Sequence, residues 1–406
     1  MIFRLKIGRG LFYLLSGAHS ALLALWRETP HQVQLREKPM KLLCTTIVAT
    51  LALVGTSMAG KAQILNVPGD YPTIESAVIA ANNGDTVLIA AGTYYESDIQ
   101  LAEFDGTGGK DIVISGETEP DGSPAVTIQV SGGQRAFNDY RSSSHVGEGL
   151  IFENLIIQGG GAYSGGGGAI RLYNSTASIH NCWFIDNNSS QNGGGALHIS
   201  YSDIPAITSC RFLNNYTGIQ GGAVHVSFNV NVTFENCEFE YNIADYGGAL
   251  FVQRNSVAVI ENCKISNNTT YGEAGAGIYL SETTCYINNS EISNNHTTHW
   301  TDGGIGGWKS TLTVDHSTIC GNTPDQFGAS ISYSGEGNCV SDDCVDCPDD
   351  CTGDADGSGS VDIEDLLLVL GEYSTCTENC SGDLDDDGDV DIEDMLIVIG
   401  GWGPCP

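Results

Sequence analysis

Between Gly167 and Asn322 the chain alternates apolar and polar residues in short bursts, and the bursts return at a fixed interval. One set reads Ile170-Arg171-Leu172, Leu197-His198-Ile199, Val224-His225-Val226, Leu250-Phe251-Val252 and Ile278-Tyr279-Leu280. A second set, such as Val232-Thr233-Phe234 and Val257–Ile260, ends just ahead of a column of small residues. Period-two alternation predicts strands with one row of side chains inward and one outward. The column is Cys182, Cys210, Cys237 and Cys263, spaced 28, 27 and 26, with Ser290 and Ser317 following at 27 each and Leu155 preceding by 27. Two positions later stands Ile157, Phe184, Phe212, Phe239, Ile265, Ile292 or Ile319. Five positions later stands Asn187, Asn215, Asn242, Asn268, Asn295 or Asn322. A glycine pair opens each unit, as in Gly194-Gly195-Ala196 and Gly221-Gly222-Ala223.

A fixed period of this size marks a solenoid whose units bury their core only by stacking. The units are too short, and too rich in Gly, Asn and β-branched residues, for helix pairs. Parallel strands stacked about 4.8 Å apart make the expected fold a single-stranded parallel β-helix with about 27 residues per coil. The recurring Asn is expected at a left-handed corner, which Asn tolerates well. Phasing the strands turns the cysteine column inward, as small apolar side chains rather than a metal site or disulfide framework.

The ends read differently. Residues 40–62 have the order of an export signal: Lys41, apolar Leu42–Val54, then small residues through Ala62. Residues 1–39 are expected to be a misassigned extension, and 63–340 the β-helix with its cap. An amphipathic helix is expected at Ile74–Ala81, with Ile74, Ala77, Val78 and Ala81 on one face and Gly84 as C-cap. No later segment approaches the ~20 apolar residues of a spanning helix, so no transmembrane anchor is expected in the mature chain. The chain has 16 Lys+Arg against 50 Asp+Glu; eight of the bases and two of the acids precede Ala62, leaving eight bases against 48 acids in the body. Such a body repels nucleic acid, whose phosphates it has nothing to neutralise.

After Lys309 there is no Lys or Arg. Beyond a Cys/Asp-rich linker, 341–350, the acids fall into a duplication across 351–406 with a 29-residue offset. Asp354, Asp356, Ser358, Ser360, Asp362 and Asp365 stand at loop positions 1, 3, 5, 7, 9 and 12, with Gly359 at 6. Asp383, Asp385, Asp387, Asp389, Asp391 and Asp394 repeat the spacing with Gly388. This is the oxygen-ligand spacing of an EF-hand-type loop, in which position 7 offers its backbone carbonyl; two calcium ions are expected. The apolar runs Leu366–Leu370 and Met395–Ile399 begin short helices. Disulfides are expected within each unit, Cys351 with Cys376 and Cys380 with Cys405, locally between Cys344 and Cys347, and between an outward Cys320 and Cys339.

Three resemblances follow. Tandem loop–helix units with Asp at position 12 and no preceding helix resemble a type I dockerin. This implies docking to a cohesin-like module through positions 10 and 11, here Ile363 and Glu364, and Ile392 and Glu393. Ile64–Gln100 resembles the N-terminal cap of pectate-lyase-like β-helix proteins, implying a right-handed coil. The Gly-Gly-Ala-Ile phrase at 167–170 with Phe184-Ile-Asp-Asn187 resembles the repeats of polymorphic outer-membrane proteins, which are surface adhesins. The motifs of polygalacturonases and pectin methylesterases are absent, save Asp325-Gln-Phe-Gly as a faint echo. Arg171, Arg211 and Arg254 lie in repeats with no carboxylate cluster placed to serve them.

The expectation is an exported, extracellular or surface protein. Its outward row Arg171, His198, His225, Phe251 and Tyr279 would stack on a polysaccharide or surface glycan without catalysis. The alternative is a lyase or hydrolase of an acidic polysaccharide placed in a complex by its dockerin-like module.

Overall fold

The computed structural model describes residues 61–102, 109–141, 149–191, 193–298, 302–344, 353–356, 358, 360–373, 380–384 and 389–404, together with strands Phe3–Ile7 and Gly10–Leu14. Those two strands pair antiparallel in a first unit, Met1–Lys61; the second unit is Ala62–Pro406. The export-signal segment lies outside the described residues. No described helix is long and apolar enough to cross a membrane.

From Ile64 the chain winds through parallel sheets of 11, 10, 6 and 8 strands. One coil runs through Ala177–His180, Trp183–Ile185, Asn188–Ser189 and Leu197–Ser200, and each strand pairs in register with its counterpart a coil away. Inward positions form one continuous apolar column, in which Phe184, Phe212 and Phe239 stack ring on ring at 4.9 and 4.6 Å.

Two ladders close the corners. Asn187, Asn215, Asn242, Asn268, Asn295 and Asn322 are fully or almost fully buried. The backbone and side-chain amides of each donate to the Oδ1 of the next, at 2.9–3.1 Å. Each Nδ2 also donates to a carbonyl of the preceding coil, as Asn242 does to Phe212 at 2.9 Å. The ladder ends on Gln326, whose Oε1 accepts from the Asn322 side chain at 2.7 Å. The left-handed residue at this corner is therefore not the ladder Asn. It is the residue before it, Asp186, Asn214, Tyr241, Asn267 or Asn294, because the ladder side chain must point inward.

The cysteine column is inward as expected, but it is not merely apolar. Each Sγ donates to the carbonyl two residues back, and Cys210 and Cys263 accept the backbone N–H of Cys182 and Cys237 at 3.4 Å. Ser290 and Ser317 make the same two bonds, which is why Ser and Cys interchange here. Cys182, Cys210, Cys237, Cys263 and Cys285 are free thiols.

The first coil is covered by α1 (Ile74–Ala80), with Ile74, Ala77, Val78 and Ala81 buried. Thr73 caps it, and Glu96 accepts from the backbone of Ile74 and Glu75 at 2.8 and 2.9 Å. At its other end Lys110 Nζ donates to the carbonyls of Val78, Ile79 and Ala81. The C-cap is Ala81, not Gly84, which turns the chain three residues later at φ 87°. At the far end Cys320 is buried and bonded to Cys344, not to Cys339, so Cys344 does not pair with Cys347. Cys339 and Cys380 are also disulfide-bonded. Cys351, Cys376 and Cys405 lie outside the described residues.

Candidate functional site

The C-terminal duplication folds into two loop–helix units, α2 (Ile363–Glu372) and α3 (Ile392–Gly400), which pack on each other around Val361, Val369, Val390 and Val398. In the first loop single carboxylate oxygens of Asp354, Asp356 and Asp365 lie within 4.8 Å of one another. Ligands on opposite sides of one calcium ion, each at 2.3–2.6 Å, stand about 5 Å apart, so the spacing fits a shared ion. Three carboxylates this close repel one another unless a cation lies between them. Asp365 is fully buried and ties the loop to the helix, accepting the N–H of Asp356 on one oxygen and that of Asp362 on the other. Asp362 is the N-cap of α2, bonded to the Glu364 N–H at 2.8 Å.

The second unit repeats this logic. Buried Asp394 accepts from Leu384 and Asp391 at 2.6 and 2.8 Å, and Asp391 caps α3 through Glu393. Ser358 donates its N–H to both Asp354 and Asp356 at 2.9 Å. Ser360 and Asp389 occupy position 7, while Asp385 and Asp387 lie outside the described residues.

Ile363, Glu364, Ile392 and Glu393 are all exposed. Sequence reasoning missed their continuation: Leu367 and Leu370 on α2, and Leu396 and Ile399 on α3, are 49–59% exposed. These residues and the isoleucines form an i, i+4, i+7 stripe on each helix. That spacing was the signal available in the sequence.

The row Arg171, His198, His225, Phe251, Tyr279 exists in register, with its four rings from His198 to Tyr279 as a run of stacked or edge-on pairs 4.9–5.4 Å apart. It is not an open platform, because His198, His225 and Phe251 are buried. The glycine-rich turns lie over it: a Cβ on Gly166 would stand 2.3 Å from His198 Nδ1, and one on Gly193 2.7 Å from His225 Nδ1. His198 Nδ1 donates to the Gly165 carbonyl at 2.7 Å, which leaves Nε2 to accept from Ser200 at 2.9 Å. Burial, with His225 beside it, pushes the imidazole down to about 3. These residues are an internal polar network, and the expectation of a glycan platform there is corrected.

Arg211 is not isolated from carboxylates. Glu238 on the next coil binds its Nε at 2.6 Å, and the guanidinium lies 5.3 Å from the Trp183 ring centroid. Glu240 completes a shallow depression with Ile185 and Leu213. The motif Asp325-Gln-Phe-Gly is accounted for structurally: Gln326 ends the asparagine ladder and Phe327 packs on the core.

A sequence profile of the right-handed β-helix region matches residues 69–272, 140–319 and 196–364 in overlapping passes. The chain belongs to the right-handed β-helix family. This β-helix protein is similar to a pectin methylesterase from Aspergillus niger, at 14% identity over 70% of this chain and 86% of that one, with a TM-score of 0.35. It is also similar to the catalytic domain of a GH87 α-1,3-glucanase, at 11% identity over 69% and 65%, TM-score 0.32. A third is a PL6 family polysaccharide lyase from Pseudopedobacter saltans, at 11% identity over 69% and 92%, TM-score 0.25. No curated protein sequence matches the β-helix chain.

Proposed function

We propose that this is an exported, non-catalytic recognition protein, in which the β-helix carries the binding surface and the C-terminal pair folds on two calcium ions and docks to a partner module. The observation that carries the docking is the matched pair of exposed stripes, Ile363-Leu367-Leu370 and Ile392-Leu396-Ile399, directly behind the acidic loops. An apolar stripe that stays in water on each of two small helices suits a protein partner. The 29-residue symmetry lets either helix lead, as the dockerin resemblance implies. The polymorphic outer-membrane-protein resemblance supports a surface role for the coils. The test is capture of the full chain by an immobilised type I cohesin in calcium. Release by chelator, and loss in Ile363→Asp/Ile392→Asp, are expected; capture unchanged by either would sink the docking role.

A second reading, turnover of an acidic polysaccharide, has one supporting geometry, Arg211 beside Glu238 and Glu240. It requires Arg211 to leave its ion pair. Product release from acidic polysaccharides, abolished in Glu238→Gln, would favour it over the first reading.

A further inference from the structure

The eight cations of the body are not spread evenly in their roles. Lys110 holds the end of α1, and Arg135 is buried against the carbonyls of Ser164, Gly166 and Gly167. Arg141 pairs with Asp139 and Asp111, Arg211 with Glu238, and Lys264 with Glu291. Three remain. Among the described residues Arg171, Arg254 and Lys309 make no carboxylate pair, and each lies over an aromatic ring at one corner of the coil.

That corner follows the fourth strand of each coil. The strip crosses five successive coils, about 19 Å at one strand spacing per coil: Tyr140 and Tyr173 are the last residues of their strands, and Tyr201, Phe228 and Arg254 the first residues beyond theirs. Tyr140 and Tyr173 stack at 4.7 Å, and Tyr201 and Phe228 at 4.6 Å; Arg171 lies 4.5 Å from the Tyr140 centroid and Arg254 4.3 Å from that of Phe228. Tyr140 is 43% and Tyr201 39% exposed. Ring faces are occupied by one another, so the strip offers water its ring edges, three phenol hydroxyls, the exposed guanidinium of Arg254 and the half-buried one of Arg171, whose Nε is buried.

Tyr201, Phe228 and Arg254 have φ of 52°, 65° and 59°, left-handed values that disfavour large L side chains. At the corner preceding the cysteine column the equivalent left-handed positions are Asn154, Asn181, Ser209, Asn236, Asn262, Asn289 and His316. Large side chains hold the same left-handed backbone at Tyr241, Glu282, Lys309 and His316, so this conformation is a recurrent feature of the coil corners.

We propose that this corner, Tyr140 to Arg254, binds a linear glycan bearing scattered carboxylates. The inference rests on the recognition role of the β-helix. Guanidinium groups at the two ends take carboxylates in bidentate fashion, and the phenols take sugar hydroxyls. Scattered charge is required because eight bases against 48 acids repel a dense polyanion. Glu282, on the coil after Arg254, ends the strip on that side.

The test measures the full chain against three immobilised probes: a neutral glucan, glucuronoxylan, and polygalacturonate with one carboxylate per sugar. Glucuronoxylan is expected to bind best. Tyr201→Asn/Phe228→Asn, and separately Arg254→Asn, should weaken it by about tenfold or more while leaving thermal stability unchanged or raised. Equal binding by the variants would overturn the corner site and leave the recognition role standing. So would a drop of several degrees in their melting, which would make the rings packing elements. Equal or tighter binding of the neutral or the dense probe would overturn the ligand class. Failure to bind any probe would overturn the site and the recognition role together, while cohesin capture would still report on the docking module.

Discussion

At the residue scale the cysteine column makes a sharp distinction between shape and hydrogen bonding. Cys263 accepts the N–H of Cys237 and donates to the carbonyl of Glu261, and Ser290 does the same work one coil on. Cys263→Ser is therefore expected to cost under about 1 kcal/mol, whereas Cys263→Val, which buries an unsatisfied N–H, should cost about 1–3 kcal/mol. Chemical denaturation of the two variants decides it. Cys182, Cys237, Cys263 and Cys285 should also be inert in the native state: burial raises Cys182 and Cys285 to about 12 and raises Cys237, and Cys263 is raised first by its hydrogen bond with Cys237 and then by burial. His198 gives a pH dependence of the opposite sense. Its folded value, near 3, lies below the ~6.5 of an unfolded His, so the unfolded chain binds the extra proton between them. Stability present above about pH 6.5 should fall as pH drops through that window. A plot of melting temperature against pH should be flatter for His198→Gln.

What the sequence disclosed at this scale was register, and what it concealed was cover. The spacing of Arg171, His198, His225, Phe251 and Tyr279 put them in one row because stacked strands repeat without slip. Nothing in the alternation said that glycine turns from the neighbouring corner would close over the middle of that row. The left-handed corner residue was displaced by one for a similar reason: the ladder Asn is chosen for its side-chain amide, not its backbone.

At the scale of elements, strands, coil length and cap helix were legible, since each depends on local periodicity. Helix ends were not. The C-terminus of α1 is finished by Lys110 from the next coil, about thirty positions away, and no local glycine signal is needed. The terminus of the asparagine ladder was equally hidden, because Gln326 reaches back only four residues to do what the next coil would have done. Replacing Gln326 with Leu should strand the Asn322 amide and cost about 1–3 kcal/mol, read as a lower melting temperature. Gln326→Glu, which keeps an acceptor, should cost less.

At the scale of the molecule, the acidic spacing of the tail was fully visible and the resulting convergence of Asp354, Asp356 and Asp365 agrees with it. The apolar stripes were visible only in part, because positions 10 and 11 came from resemblance and the rest needed the helix to be in place. Calorimetry of the whole chain is expected to show two transitions. The one that moves upward with calcium should belong to the tail, since a ligand that binds only the folded state stabilises it. The β-helix transition should not move; a single calcium-independent transition would count against the tail's calcium sites.

The asparagine ladder has one more consequence. From Asn187 to Asn295 every backbone N–H in it donates to the next coil, every side-chain amide donates to the coils on both sides, and each Asn-to-Asn step is made with a neighbour identical in kind. Removing or duplicating one whole repeat therefore leaves every remaining bond with the same partner type, and the interior cannot tell how many coils there are. Length is a free variable of this architecture, adjustable in steps of one repeat by ordinary gene duplication. The corner strip, which gains or loses one side chain with each coil, would change its reach in the same steps.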